Sequence, residues 1–270
     1  MKFALEIKMC KTNLASDGLK KRRIIFLDEA RGLCIVCMVF FHMFFDLAYI
    51  FNFPLGYKLY NFFLPAQPFF AGAFIAICGI CCRLSRSNFK RSGIIAAAAA
   101  AVTVVTIVLS KFNIVDPIYF GILHLLAVSV FTFAILHPLF DKINPIVGIA
   151  VCAALSAILW DLSSGEIGIG GLSFSFNSNT PELIALPFGI GSTRLYASDY
   201  FPIFPWILIF FAGTFLRRYF ASDKLPEFFY KNHLPPLSGI GRHSLIIYIL
   251  HQPIIYGLLM LINYIIGRIV

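Results

Sequence analysis

The chain has 270 residues, 59% of them hydrophobic and 13% charged, with a mean hydropathy of +0.85 and a formal net charge of +9. A soluble domain is nearer half apolar and a quarter charged, so the composition excludes an ordinary soluble enzyme and predicts a polytopic membrane protein. The positive charge does not mark a nucleic-acid binder, because the basic residues sit in an N-terminal tail and in loops between apolar runs.

The tail, residues 1–23, carries Lys20, Lys21, Arg22 and Arg23 with no apolar run ahead of them. We expect a basic cytoplasmic segment there and no cleavable signal peptide. Residues 24–270 read as one all-α domain, a transmembrane helix bundle of about seven spans. Its spans are predicted at residues 29–51, 60–82, 92–110, 117–137, 145–160, 202–219 and 244–267. Residues 52–59 and 111–116 read as short connections. Pro65 and Pro68 are expected to kink the outer half of the second span. Six consecutive alanines, Ala96 to Ala101, predict a packing face on the third, because small side chains let helices approach closely in lipid. Residues 161–201, rich in glycine, serine and asparagine, read as a lid or acceptor-side element, with a plain linker as the other reading.

Seven spans with the N-terminus inside place seventeen Lys and Arg residues on inner segments. These are seven in the tail, four after span two (Arg83, Arg86, Lys90, Arg91), Lys142, and five after span six. The outer segments hold four: Lys58, Lys111, Arg194 and Arg268. This asymmetry predicts a cytoplasmic N-terminus and an outer C-terminus. Of seven cysteines, Cys34 and Cys37 lie on span one, and Cys78, Cys81 and Cys82 end span two. Near the cytoplasmic side disulfides are disfavoured, and the C-x-x-C spacings alone do not close a zinc ligand set. We therefore read these cysteines as small packing residues and expect no metal.

The first span carries ionisable residues, which cost about 2.5–3.5 kcal/mol each at a helix centre on insertion scales. Arg31 and His42 are eleven residues apart, so at roughly 100° per residue they fall within about 20° of one face. Asp46 follows one turn later, giving a stripe Asp28–Arg31–His42–Asp46. Eleven residues at 1.5 Å put His42 about 16 Å deeper than Arg31, near the middle of a hydrocarbon core about 30 Å thick. A histidine at that depth suits a general base serving a donor on one side and an acceptor on the other. Asp46 is expected to orient it, and the Arg31 fork suits phosphate or a carbonyl oxygen. Asp28 reads as an N-cap, as a salt-bridge partner of Arg31, or as a substrate contact. His124 lies early in span four. Ser244, Tyr248, His251 and Gln252 share one side of span seven. Asp199 marks the outer mouth of span six, where Trp206 reads as an interfacial anchor.

Six segments carry a specific resemblance: RIIFLDEARG, MVFFHMFFDL, FFAGAFIAICGICCRLSR, FGILHLL, DYFPIFPW and GRHSLIIYILHQP. They run from Arg23 to Gln252 and resemble the bacterial membrane proteins related to the catalytic domain of heparan-alpha-glucosaminide N-acetyltransferase. More distantly the chain is similar to the large membrane O-acyltransferase family, whose arginine, ten residues, histidine arrangement matches Arg31 and His42. The resemblance implies a membrane acyltransferase of the bacterial cytoplasmic membrane that uses cytosolic acetyl-CoA. It maps arginine and histidine roles onto Arg31 and His42, and the acceptor does not carry over. From the residues themselves we expect catalysis by His42, Asp46 and Arg31, donor binding by Arg31, Arg83, Arg86 and His124, and contact of Asp28, Asp199, Tyr248, His251 and Gln252 with a glycan or other envelope acceptor. The chain departs from the eukaryotic lysosomal enzyme, which has asparagine where His42 stands, so the role of His42 leans on the O-acyltransferase motif and the depth argument. The competing reading is a proton-coupled small-solute transporter, since intramembrane histidines and acids also build proton relays. Against that, no repeated halves are visible. A non-catalytic scaffold would leave the polar stripe without a role. A homodimer stays open.

Overall fold

The computed structural model describes residues 22–176, 180–190, 199–220, 225–265 and 267. Most of the tail expected at 1–23 lies outside them, as does Arg194. Helix α1 (Ile25–Phe45) runs into a π-helical turn (Asp46–Ile50). Then come α2 (Pro54–Phe63), a 3₁₀ turn (Leu64–Ala66), α3 (Gln67–Cys82), α4 (Asn88–Ser110), α5 (Ile122–Phe140) and α6 (Pro145–Ile158). A two-stranded antiparallel hairpin, β1 (Glu166–Ile167) and β2 (Phe174–Ser175), and the short α7 (Glu182–Phe188) precede α8 (Ile203–Phe220). The chain finishes with α9 (Pro235–Arg242) and α10 (Ser244–Ile265). Seven helical stretches are long and apolar enough to cross a membrane: Ile25–Ile50, Pro54–Cys82, Asn88–Ser110, Ile122–Phe140, Pro145–Ser164, Ile203–Phe220 and Ser244–Ile265. The protein is an all-α integral membrane protein.

The helix ends follow local chemistry. The Ser87 side chain accepts from the Lys90 N–H at the start of α4, and Asn144 Oδ1 accepts from the Ile146 N–H at the start of α6. Pro54 opens α2 at a position where a missing N–H costs nothing, so the expected connection at 52–59 is already helical from Pro54. The kink expected from Pro65 and Pro68 is the 3₁₀ turn between α2 and α3. Residues 117–121, predicted as the start of span four, are not helical. Gly121 instead pairs with Tyr200 in an isolated antiparallel bridge. In α8, Phe204 is extended (φ −98°, ψ 136°), as the residue before Pro205 is biased to be.

The chain forms two compact units, Met1–Phe74 with Leu225–Val270, and Ile75–Lys224. In the first, α9 packs on α1 at backbone range. A Cβ on Gly32 would stand 2.0 Å from the Leu237 carbonyl oxygen, and one on Gly241 would stand 1.9 Å from that of Asp28. Only glycine permits this approach. Aromatic rings join α2 to the end of α1: Phe41 to Tyr60 at 5.0 Å, Phe44 to Phe63 at 5.3 Å, and Tyr49 edge-on to Tyr60 at 5.4 Å. In the second unit, α4 packs on α5, and α8 on α5 and α6. Phe140 of α5 stacks on Phe215 of α8 at 5.1 Å. Of the six alanines on α4, Ala99 alone is buried, so the packing face there is one residue wide. Trp206 is buried against Phe201 and Trp160, and Trp160 is the exposed member. The described cysteines are free, and all but the half-buried Cys37 are buried.

Candidate active site

The stripe predicted along span one divides into two clusters within the first unit. The first stands at the start of α1. Asp28 is buried and takes Arg23 Nε on Oδ2 at 2.6 Å and Arg31 Nη1 near Oδ1 at 3.6 Å. Arg31 also donates to the Gly241 carbonyl at 3.2 Å. The N-cap position belongs to Ile24, so Asp28 lies inside the first turn instead of capping it. There its negative charge still suits the positive end of the helix dipole. Glu29, which sequence reasoning passed over, receives the N–H groups of His233 and Leu234 on Oε1 at 2.6 and 2.8 Å. Its only sequence signal was an acid next to another acid at a helix start.

The second cluster lies deeper along α1, opposite α10. His42 is buried, and its ring centroid is 5.0 Å from that of His251, with the planes 56° apart. Nδ1 of His42 is buried without a hydrogen-bond partner among the described residues. No hydrogen bond joins it to Asp46 among those residues, so the expected orienting contact is replaced by another. The Asp46 carboxylate, fully buried, receives Gln252 Nε2 on both oxygens, at 2.8 and 3.0 Å. Asp46 still follows His42 in α geometry, its N–H bonding the His42 carbonyl, and the carboxylate meets α10 instead of the imidazole. A carboxylate is acceptor-only, so the Gln252 group facing it must be the NH₂, which leaves Oε1 turned away, buried and unpartnered. His251 Nδ1 lies 2.6 Å from the Tyr248 carbonyl, and its Nε2 is buried and unpartnered. Tyr248 is buried with its ring 5.5 Å from that of His251. His42, Asp46, Tyr248, His251 and Gln252 are therefore brought together. Three buried polar atoms among them lack partners, which calls for an explanation beyond packing.

The remaining predicted site residues belong to the second unit. Arg83 Nη1 bonds the Asp141 carboxylate and its guanidinium lies over Phe133 at 5.3 Å, while Nε and Nη2 have no partner among the described residues. Arg86 follows on the same connection, between α3 and α4. His124 is saturated. The Gly121 N–H donates to its Nδ1 at 3.2 Å, which leaves the ring proton on Nε2 for Thr103 Oγ1 at 3.2 Å. Thr103 in turn donates to the Ile118 carbonyl at 2.8 Å. His124 thus ties the N-terminus of α5 to α4. Asp199 is buried beside Gly121, where an added Cβ would stand 2.4 Å from its Oδ2. No group of three His, Cys, Asp or Glu residues suited to a metal ion occurs among the described residues.

Fold and site together define a polytopic membrane protein with a pair of imidazoles buried between two of its spanning helices. The sequence profile of the family described as heparan-alpha-glucosaminide N-acetyltransferase, catalytic, matches residues 23–253. The chain belongs to that family, a family of membrane acetyltransferases. No curated protein and no solved structure matches it.

Proposed function

We propose that the protein transfers an acetyl group from cytosolic acetyl-CoA to an amine or hydroxyl of a glycan or other envelope acceptor. The observation that carries this reading is the His42–His251 pair, buried on spanning helices with unsatisfied ring nitrogens, in a chain of this family. The membrane is the bacterial cytoplasmic membrane with the basic tail inside, a placement supported by the distribution of Lys and Arg. Arg31, at the start of α1, serves the donor's phosphates. Arg83, with Nε and Nη2 unpartnered among the described residues, and Arg86 are separate anion-binding candidates within the second unit. His124, with both ring nitrogens bonded, would have to give up Gly121 or Thr103 to meet the donor. His42 acts at the reacting carbon, deprotonating the acceptor or taking the acetyl group briefly. Tyr248 and Gln252 are the acceptor contacts within the first unit; Asp199 belongs to the second. Asp28 is occupied by its two arginines.

The family name describes an α-glucosaminide, an amine on a sugar, so methyl α-glucosaminide is the first acceptor to offer. In proteoliposomes with labelled acetyl-CoA, the wild type yields acetylated product and His42→Ala, folded as judged by thermal unfolding, yields none. Full activity of His42→Ala removes His42 from the chemistry. Proton-driven uptake of solute without transfer overturns the enzymatic reading altogether.

A further inference from the structure

The two imidazoles are not equivalent. A backbone carbonyl only accepts, so the 2.6 Å contact from His251 Nδ1 to the Tyr248 oxygen requires a proton on Nδ1. In the neutral ring the lone pair is then on Nε2. His137 and His243 make similar contacts, to Ala134 at 3.1 Å and Gly239 at 3.0 Å, so anchoring a ring by Nδ1 within its own helix is ordinary in this chain. What sets His251 apart is the other nitrogen. It is buried, has no partner among the described residues, and belongs to a ring 5.0 Å from a second imidazole. His42 has no such anchor among the described residues: its Nδ1 is buried without a partner, and the acid expected to orient it takes Gln252 instead. An orienting acceptor behind one nitrogen and an open lone pair on the other is the arrangement that readies an imidazole as a base. Here it belongs to His251.

We propose that His251 is a further catalytic residue, the base that takes the acceptor's proton, with the Tyr248 carbonyl holding its tautomer. The inference rests on the acetyl-transfer reading above and divides the labour within it. The acceptor's N–H or O–H proton passes to Nε2 of His251 while its nitrogen or oxygen bonds the acetyl carbonyl carbon. The bond from that carbon to its leaving group breaks, and the proton finally resides on the thiol of coenzyme A. His42 is left for the acetyl side of the exchange. Gln252, its NH₂ held by Asp46, keeps a buried Oε1 without a partner among the described residues.

Asparagine at 251 can reproduce the donor to the Tyr248 carbonyl but has nothing at the Nε2 position. Membrane vesicles carrying the full chain and the native envelope acceptors are supplied with labelled acetyl-CoA, and protein-dependent acetyl incorporation is followed. His251→Asn is expected to lower kcat at least 100-fold with KM for acetyl-CoA within twofold of wild type. Wild-type activity in a folded His251→Asn variant overturns the proposal, since the anchor alone would then suffice. If the variant does not fold, ¹⁵N-histidine spectra of the wild type in bilayers decide. A proton on Nδ1 and a bare Nε2 at 251 support the base, and the opposite tautomer overturns it. Absence of any incorporation by the wild type sinks the acetyl-transfer reading itself, an outcome distinct from an active wild type beside an active asparagine variant.

Discussion

Gln252 and Asp46 are 206 positions apart and are joined by two hydrogen bonds to one buried carboxylate. Replacing Gln252 by Leu removes both donors and leaves the acid with no partner where water does not reach. A hydrogen bond to a charged group contributes about 1.5–3 kcal/mol, so two give a gross loss of at least about 3 kcal/mol. Helices unfolded within a bilayer still find polar partners, and measured pairs there average about 0.6 kcal/mol and reach about 1.7. A doubly bonded carboxylate belongs at the upper end, so we expect a coupling of about 2 kcal/mol between the two positions. The assay is a double-mutant cycle of Asp46→Leu, Gln252→Leu and the pair, followed by reversible unfolding in mixed micelles. Gln252→Leu alone should be the most destabilised of the three, and the double variant should recover part of the loss. Effects that add to within about 0.5 kcal/mol would refute the coupling, and with it the orientation assigned to the Gln252 amide.

Gly241→Val should destabilise the first unit by about 1–3 kcal/mol, because its first carbon would overlap the Asp28 carbonyl; limited proteolysis at 225–243 reads this, and wild-type resistance would contradict the close approach. His124→Ala should lower the unfolding temperature while leaving KM for acetyl-CoA unchanged; a raised KM would return His124 to the donor site. Arg22 bonds Glu227 and holds its carboxyl below the usual range, while the guanidinium is raised above its own. The stabilisation from this exposed pair is therefore present above the unfolded carboxyl's range and lost as pH falls through the lowered folded value. Carboxyl NMR of Glu227 should show its midpoint rising in Arg22→Ala, and equal midpoints would remove the pair from consideration.

The seven crossings were legible because hydropathy over about 20 residues is a one-dimensional property. Their starts were less so. At Pro54 the run Gly-Tyr-Lys is too mixed to read as a span, yet a proline that opens a helix needs no hydropathy. At Pro117 the apolar run continues, but Gly121 pairs with Tyr200, a partner no local window contains. The alignment of Arg31 with His42 followed from helix arithmetic alone. The same arithmetic puts Asp46 one α turn past His42, where its N–H bonds the His42 carbonyl, but it does not choose the partner of a side chain. Asp46 is fully buried, and its partner arrives from the far end of the chain. Arg23 and Glu29 went unread since their partners, Asp28 in the next turn and the backbone ahead of α9, make them scaffolding for the cation at 31.

That scaffolding has a mechanical corollary. The guanidinium at 31 is tethered to the carbonyl of Gly241, on a short helix that lies against α1 with no intervening side chain. With Asp28 on its other side, the tether restrains the snorkelling that a free arginine would show. Any event that shifts residues 235–242, whether a cytosolic protein, a lipid or a substitution at Pro235, will act on this positive charge and on α1 together.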